Sequence, residues 1–204
     1  MATKLSLPSV KPIVPTRIQE PFDDTRYTFE LKYDGFRGMF YLENERGRFQ
    51  SKQQKEITPF RRLRSELLEV LEIDSAILDG EIVAFNEEGR PVFRDLIDHR
   101  IAPSYVAFDL LWLNGKDLRQ LPLRERRKRL GELIPEDSDV LRSVVTVNER
   151  GNDFFRHVQE FDLEGLVAKR LADPYTDETA WMKILNPHYS QRRDERWKIF
   201  KEKK

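Results

Sequence analysis

The sequence predicts an α+β fold with largely antiparallel sheets and flanking helices. Segments of β-rich composition follow one another along the chain, whereas segments with helical periodicity lie between them at irregular intervals. A doubly wound parallel sheet would instead alternate strand and helix throughout. The length of 204 residues suits one large domain, or one domain with a small appendage, and is sufficient for a sizeable core.

The first half of the chain is mostly β-like after a proline-rich start. Residues 1–21 contain four prolines and predict an extended arm rather than a helix. Leucines at helical spacing after Pro59 predict a helix over 59–72. Alternating, β-rich composition predicts strands over 27–33, 37–42, 47–52 and 76–85.

The second half mixes both element types. We expect helices over 92–100, 123–134 and 152–161. Apolar β-like runs predict strands over 105–113, 140–147, 165–169 and 180–184. The helix over 123–134 has a strongly basic face and is either an ordinary solvated surface or a nucleic-acid contact.

Several classes of chemistry are excluded by composition and motif. The chain has no cysteine, so disulfides, cysteine-ligated zinc and thiol catalysis are excluded. Neither common glycine-rich phosphate cradle is present, and no serine lies in G-x-S-x-G. No apolar stretch approaches the roughly 20 residues that span a membrane, and the first 15 residues lack a signal-peptide pattern. We therefore expect a cytoplasmic location and no membrane partner.

The formal net charge of zero conceals an asymmetry. Residues 183–204 carry eight basic and three acidic side chains, a net charge of +5. Such a segment is either a solvated tail or a phosphate-binding one. We treat residues 191–204 as a basic C-terminal tail and as the first candidate for nucleic-acid contact.

Charged residues stand within otherwise apolar, β-like sequence at five places. Burying them is costly unless they have partners or a ligand. Four cations could neutralise a triphosphate, and the carboxylates could hold Mg²⁺ together with phosphate oxygens. The residues concerned are Lys32, Arg37, Lys169 and Lys183 among the cations, and Glu30, Glu81 and Glu164 among the carboxylates.

In their order along the chain, these segments resemble the nucleotidyltransferase (adenylation) domain of ATP-dependent DNA ligases. The wider superfamily, whose fold we expect here, also contains RNA ligases and mRNA capping enzymes. The resemblance covers about residues 22–190, which we predict as the domain. The family's K-x-D-G-x-R pattern stands at 32–37, and the later motifs stand at 79–81, 105–108, 164–169 and 181–183. A Ser-Arg-like motif occupies 51–58, with Lys52 where arginine is usual and Gln54 where glycine is usual.

The resemblance implies the reaction. Lys32 would attack the α-phosphate of ATP, pyrophosphate would leave, and a lysyl-AMP intermediate would form. AMP would then pass to a 5′-phosphate at a nick in double-stranded DNA, and the strands would be joined during DNA repair or recombination. Since a protonated lysine has no lone pair, Lys32 must lose a proton before it attacks.

The resemblance also assigns the nucleoside contacts. Glu30 would contact the adenine amino group, and Phe108 would stack on the adenine ring. Arg37 and Glu81 would contact the ribose, with Glu81 also close to the metal.

The remaining implied roles concern the metal and the phosphates. Glu164 would help to hold Mg²⁺. Lys169 and Lys183 would bind the α-phosphate, where charge develops in the transition state. Lys52 would assist at the ribose or the phosphates, or would be a plain surface lysine.

Two departures from the family pattern leave alternatives open. Leu185 stands where the last motif often has a second lysine, so adenylation is expected to be slow unless Arg192 or Arg193 compensates. Residues 182–204 are too few for the OB-fold domain of a complete ligase, so the chain would need a partner for that function or perform only part of the reaction. The alternatives are a non-catalytic ATP- or AMP-binding module and an RNA end-joining ligase.

Overall fold

The computed structural model describes residues 7–191, which form twelve strands and four helices. The helices are α1 (Arg61–Val70), α2 (Phe93–Ile97), α3 (Leu123–Leu133) and α4 (Gly151–Glu160). The strands are β1 (Thr16–Ile18), β2 (Asp23–Lys32), β3 (Phe36–Glu43), β4 (Arg46–Gln50), β5 (Glu56–Ile57), β6 (Ser75–Val83), β7 (Ser104–Leu113), β8 (Lys116–Asp117), β9 (Leu141–Ser143), β10 (Thr146–Arg150), β11 (Gly165–Arg170) and β12 (Met182–Leu185).

Two sheets form the scaffold. The first has the order β1-β12-β11-β2-β10, and α4 packs on its core face through Phe154, Phe155 and Val158. The second has the order β5-β4-β3-β6-β7-β8, with β9 added beside β7, and α1 buries Leu63 and Leu67 against it. All pairs are antiparallel except β1 with β12 and β7 with β9. The predicted α+β class with largely antiparallel sheets is confirmed.

One predicted strand is two strands in different sheets. The sequence favoured a single strand over 140–147, but β9 ends at Ser143 and β10 begins at Thr146. β9 runs beside β7 in the second sheet, whereas β10 pairs with β2 in the first. Buried Val144 lies in the connection, so the apolar run that suggested continuity is a crossover between the sheets.

The arm is extended, as expected, but the described part of it is packed against the domain. Val10 and Ile13 are buried, and their backbone amides donate to the hydroxyls of Tyr41 and Tyr175. Further along the arm, β1 extends the first sheet. The proposed division between residues 21 and 22 therefore does not separate two packing units.

The basic face predicted for α3 is only partly a surface. Arg126 is fully buried and forms two hydrogen bonds with Asp109, while Arg127 donates to the hydroxyls of Thr28 and Thr146. These two arginines attach the helix to both sheets. The expectation that all basic residues of the helix form one basic face is therefore wrong for these two. Arg124 and Lys128 remain exposed. Almost all of the predicted tail 191–204 lies outside the described residues.

Candidate active site

A cleft of about 760 Å³ opens between the two sheets. Its volume lies within the range of small-molecule sites. Eight of the residues singled out from the sequence line it, although they come from six separate segments: Glu30, Lys32, Arg37, Lys52, Glu81, Phe108, Lys169 and Lys183. The ninth, Glu164, contacts Lys32.

Strand register explains why the first sheet presents its charges on one face. Residues paired across neighbouring strands point to the same side of a sheet, and alternate residues point to opposite sides. Glu30, Val167 and Lys183 form one such row across β2, β11 and β12. The next row contains Lys32 and Gly165 and ends at Leu185. Val167 therefore separates Glu30 from Lys183.

The inner end of the cleft is a buried ion pair. Lys169 Nζ lies 2.6 Å from Glu30 Oε2, and the two side chains are only 1% and 3% exposed. Burial raises the pKa of Glu30 and lowers the pKa of Lys169, because removal from water disfavours both charged forms. Glu30 Oε1 is buried without a hydrogen-bond partner among residues 7–191. That oxygen is an acceptor available to a ligand.

Aromatic rings enclose the same end. Lys169 Nζ lies 3.7 Å from the ring centre of Trp181 and 4.3 Å from that of Phe108. The two rings pack edge to face with their centres 5.9 Å apart. The resemblance grouped Lys169 with Lys183 as phosphate ligands; both line the cleft, and Lys169 is held among aromatic rings beside Glu30.

Arg37 is fixed from two sides. It donates to both carboxylate oxygens of Asp79, at 3.0 and 2.6 Å, and to the carbonyl of Ile13 in the arm. Burial opposes the charge of Arg37, but the Asp79 carboxylate outweighs it and holds the Arg37 pKa above its usual value. Tyr175 also donates to Asp79, at 2.6 Å. The arm, the second sheet and the 171–181 loop thus converge on one guanidinium.

The outer end of the cleft carries Lys32 at the end of β2. Its Nζ lies 2.7 Å from Glu164 Oε1, and both side chains are partly accessible. Lys183 has a lowered pKa, first because of partial burial and then because of the neighbouring charge of Lys32, with further contributions from Lys52 and Arg17. Lys32, Lys52 and Arg17 are thus the positive charges that act on Lys183, and Lys32 is itself paired with Glu164.

The turn after Lys32 is tightly constrained. A Cβ atom on Gly35 would collide with the carbonyl oxygen of Ile82, so only glycine fits where β3 begins beside β6. Buried Asp34 accepts a hydrogen bond of 3.1 Å from the hydroxyl of Tyr189. Asp34 and Gly35 thus hold the segment after Lys32 in close contact with β6 and with Tyr189.

Comparison with protein families identifies this arrangement. A family model described as "ATP dependent DNA ligase domain" matches residues 11–184. The chain belongs to this family. It is an adenylation domain of the ATP-dependent DNA ligases, as the K-x-D-G-x-R segment and the later motifs predicted.

Curated relatives of this adenylation domain include complete ligases and larger proteins. The chain is 27% identical over 196 residues to the SPbeta prophage-derived DNA ligase-like protein LigB of Bacillus subtilis, covering 89% of this chain and 69% of that protein. It is 34% identical over 168 residues to the multifunctional non-homologous end joining protein LigD of Pseudomonas aeruginosa, covering 78% of this chain but 20% of that protein. It is also 34% identical to a DNA ligase of Thermoplasma volcanium, of which it spans 28%.

Solved structures share the fold of the adenylation domain. The ligase domain of LigD from M. tuberculosis aligns with a TM-score of 0.71 at 26% identity, over 82% of this chain and 57% of that one. A mycobacterial DNA ligase D complexed with ATP and MES aligns with a TM-score of 0.74 at 24% identity, over 85% and 59%. The chain thus spans little more than half the length of these ligases.

The acidic residues of the adenylation domain do not form a metal cage by themselves. No group of three or more histidine or acidic side chains suited to a metal ion occurs between residues 7 and 191. Mg²⁺, however, is usually held by one or two carboxylates together with substrate phosphates and water. Glu81, which lines the cleft, and Glu164, which contacts Lys32, are carboxylates that fit that pattern. None of the four described helices has the length and apolar character needed to cross a bilayer.

Three residues in or behind the wall of the adenylation domain's cleft received no functional role from the sequence. Asp79 was part of a motif, but its carboxylate orients Arg37, and Tyr175 in turn holds Asp79. Trp181 was assigned to packing, yet it lines the cleft and covers Lys169. Tyr175 stands in a loop with no periodicity, so the sequence offered no signal for it.

Proposed function

We propose that this domain catalyses the transfer of AMP from ATP to Lys32, and then to the 5′-phosphate of nicked double-stranded DNA. One observation carries the proposal: residues from six separate motifs line one cleft, with a partly accessible lysine at its outer end. The ligase names of the relatives support the reaction class.

Adenine is assigned to the inner end. The unpartnered Glu30 Oε1 is suited to accept a hydrogen bond from an amino group, which adenine carries. Phe108 offers a ring face for stacking, worth about 1–3 kcal/mol for a nucleobase. In this arrangement Lys169 supports the base-binding end by holding Glu30, rather than binding the α-phosphate.

The ribose is assigned to Arg37 and Glu81. These residues are directly paired across β3 and β6, so both side chains point to the same side of the sheet. Arg37 keeps a fixed orientation through Asp79 and the Ile13 carbonyl. A rigid guanidinium at this place positions the sugar and, with it, the α-phosphate near Lys32.

Adenylation itself forms one bond and breaks one. The neutral Lys32 amine attacks the α-phosphorus, the N–P bond forms, and the P–O bond to pyrophosphate breaks. Lys32 first gives up a proton and leaves its contact with Glu164, the nearest acceptor at 2.7 Å. Lys183 and Lys52 supply positive charge where negative charge develops on the phosphate oxygens.

Mg²⁺ would be held by Glu81 and Glu164 together with the phosphates. Its contribution when bound is neutralisation of phosphate charge. We propose DNA contact by the basic residues beyond 191, and a further OB-fold or DNA-binding function supplied by a partner or another domain. A cytoplasmic location is compatible with the absence of cysteine.

The test is intact-mass analysis after incubation with ATP and Mg²⁺. We expect wild-type protein to gain the mass of one AMP and to release it on addition of pyrophosphate. The Lys32→Ala variant should bind ATP but gain no mass, while Lys128→Ala, an exposed lysine on α3, should behave like wild type. Wild-type protein that never gains AMP, and never seals a nick in pre-adenylated DNA, would refute the proposal.

A non-catalytic nucleotide-binding module is the second candidate, favoured by Leu185 in place of the second lysine of the last motif. It predicts that ATP raises the melting temperature without any covalent adduct. An acid-labile adduct on Lys32 would exclude it. Comparing nicked DNA with nicked RNA duplexes as substrates would test the RNA end-joining alternative.

A further inference from the structure

The arm carries a cation beside the cleft wall that no motif contains. Arg17 lies in β1, paired in register with Lys183 of β12. Paired residues share a face, so Arg17 projects on the same side as Lys183 and Glu30, which line the cleft. Its neighbours Thr16 and Ile18 alternate to the other side, where Ile18 packs into the core of the first sheet. Val14 and Pro15, just before β1, form part of the cleft wall.

The charge of Arg17 acts on Lys183 at the outer end. It is one of the neighbouring charges that lower the pKa of Lys183, after partial burial and the charges of Lys32 and Lys52. Arg17 is exposed, and no ion pair involves it within the part of the chain that the structure describes. An exposed arginine among like charges is placed to receive an anion from outside the protein.

The position of Arg17 relative to Lys32 indicates which phosphate group Arg17 would contact. Displacement at phosphorus proceeds with the attacking and leaving atoms roughly in line. Lys32 stands in β2, and Arg17 stands three strands away at the sheet edge, in the order β2-β11-β12-β1. At about 4.8 Å per strand the two backbones are about 14 Å apart, with Lys183 between them. If the α-phosphate lies between Lys32 and Lys183, the leaving group lies on the side of Arg17.

We propose that Arg17 binds the phosphate group opposite Lys32, which is the leaving pyrophosphate during adenylation. The inference rests on the proposed function and adds a residue to it. Arg17 thereby supplies from the arm a positive charge that Leu185 does not provide at the family's second lysine position. In the next step the 5′-phosphate of the nick must attack the α-phosphorus from the side opposite Lys32. It would therefore enter the place that pyrophosphate vacates.

The decisive experiment starts from protein that already carries AMP. Pyrophosphate is added at increasing concentration, and the loss of AMP is followed by intact mass for wild type, Arg17→Gln and Arg17→Lys. Arg46→Gln is the matched control, because Arg46 is also an exposed strand arginine but lies in β4 of the other sheet. We expect Arg17→Gln to need about tenfold more pyrophosphate than wild type to lose half of its AMP. Arg17→Lys should show a smaller increase, and Arg46→Gln should behave like wild type.

A second experiment distinguishes pyrophosphate from the 5′-phosphate of the nick as the group that Arg17 binds. Adenylated protein without ATP is mixed with nicked DNA, and AMP transfer to the 5′-phosphate is measured. Slower transfer for Arg17→Gln, with unchanged melting temperature, would extend the proposal to the nick. A slower transfer with unchanged pyrophosphate reversal would overturn it in favour of a DNA contact only. If wild type forms no adduct, the proposed function fails; if all variants reverse alike, only the role of Arg17 fails.

Discussion

The two ends of the cleft use charge in opposite ways. At the inner end Glu30 and Lys169 are almost wholly buried, matched one to one, and surrounded by aromatic rings. At the outer end the charges of Lys32, Lys52 and Arg17 act on Lys183, only Lys32 is paired with Glu164, and all four cations remain at least partly accessible. The inner charges are satisfied mainly within the protein, whereas the outer ones are in excess and suited to an anionic ligand. Substitutions should therefore affect stability at the inner end and activity at the outer end.

The largest expected effect tests that division directly. Lys169→Ala leaves the Glu30 carboxylate buried without its partner, which should lower the free energy of unfolding by about 3–5 kcal/mol. Lys183→Ala, in a more accessible position, should lower it by less than about 1 kcal/mol while strongly slowing adenylation. Urea unfolding of both variants checks this. Equal losses of stability would show that the two ends are not energetically distinct.

The next effect concerns the base. Phe108→Ala removes the stacking surface and should weaken AMP binding by about 1–3 kcal/mol, measured by calorimetry. Phe161→Ala, an exposed aromatic residue after α4, serves as the control and should bind AMP like wild type. Unchanged AMP affinity of Phe108→Ala would show that adenine does not stack on Phe108 at the inner end.

The pH dependence of AMP binding probes the outer end. Because the pKa of Lys183 is lowered from 10.5, its ammonium loses the proton at a lower pH than a free lysine does. A neutral amine attracts phosphate less, so AMP affinity should fall as pH rises toward 10.5 from below. Lys183→Arg keeps its charge throughout that range and should flatten this part of the profile. Identical profiles would argue against a phosphate contact by Lys183.

The smallest expected effect is an increase in the rate of adenylation. Leu185 shares a row with Lys32, and Gly165 between them has no side chain. Leu185→Lys would therefore place an ammonium on the nucleophile's side and restore the family's Lys-x-Lys. We expect a few-fold faster adenylation, since a partly exposed charge contributes less than the 1.5–3 kcal/mol typical of charged hydrogen bonds. A rate at or below wild type would indicate that Arg17 already fulfils this need.

The motif residues were predictable because charged residues within apolar, β-like segments follow the order of the ligase family's motifs. Lys32, Glu81 and Lys183 were found in this way, and all line the cleft. The fold class followed from the succession of β-like segments, such as those of β2 and β7, with helical segments between them at irregular intervals.

The missed features depend on contacts distant in sequence. The location of Lys169 beside Glu30 follows from the pairing of β11 with β2, which periodicity does not reveal. Tyr175 reaches Asp79 only because of the path of its loop, and Arg17 comes beside Lys183 only because β1 pairs with β12. Residues 140–147 were misassigned because apolar composition does not distinguish a strand from a crossover between sheets.

The pairing of the first strand with the last has a consequence for biosynthesis. The hydroxyl of Thr16 donates to the carbonyl of Trp181 across 165 residues of chain. Contacts this distant in sequence form late and slow folding, because a long loop must close first. During translation β1 has no neighbour until β12 has left the ribosome. The nascent chain therefore carries Lys32 on an unfinished sheet, and it gains both Lys183 and an anchored Arg17 in a single late event.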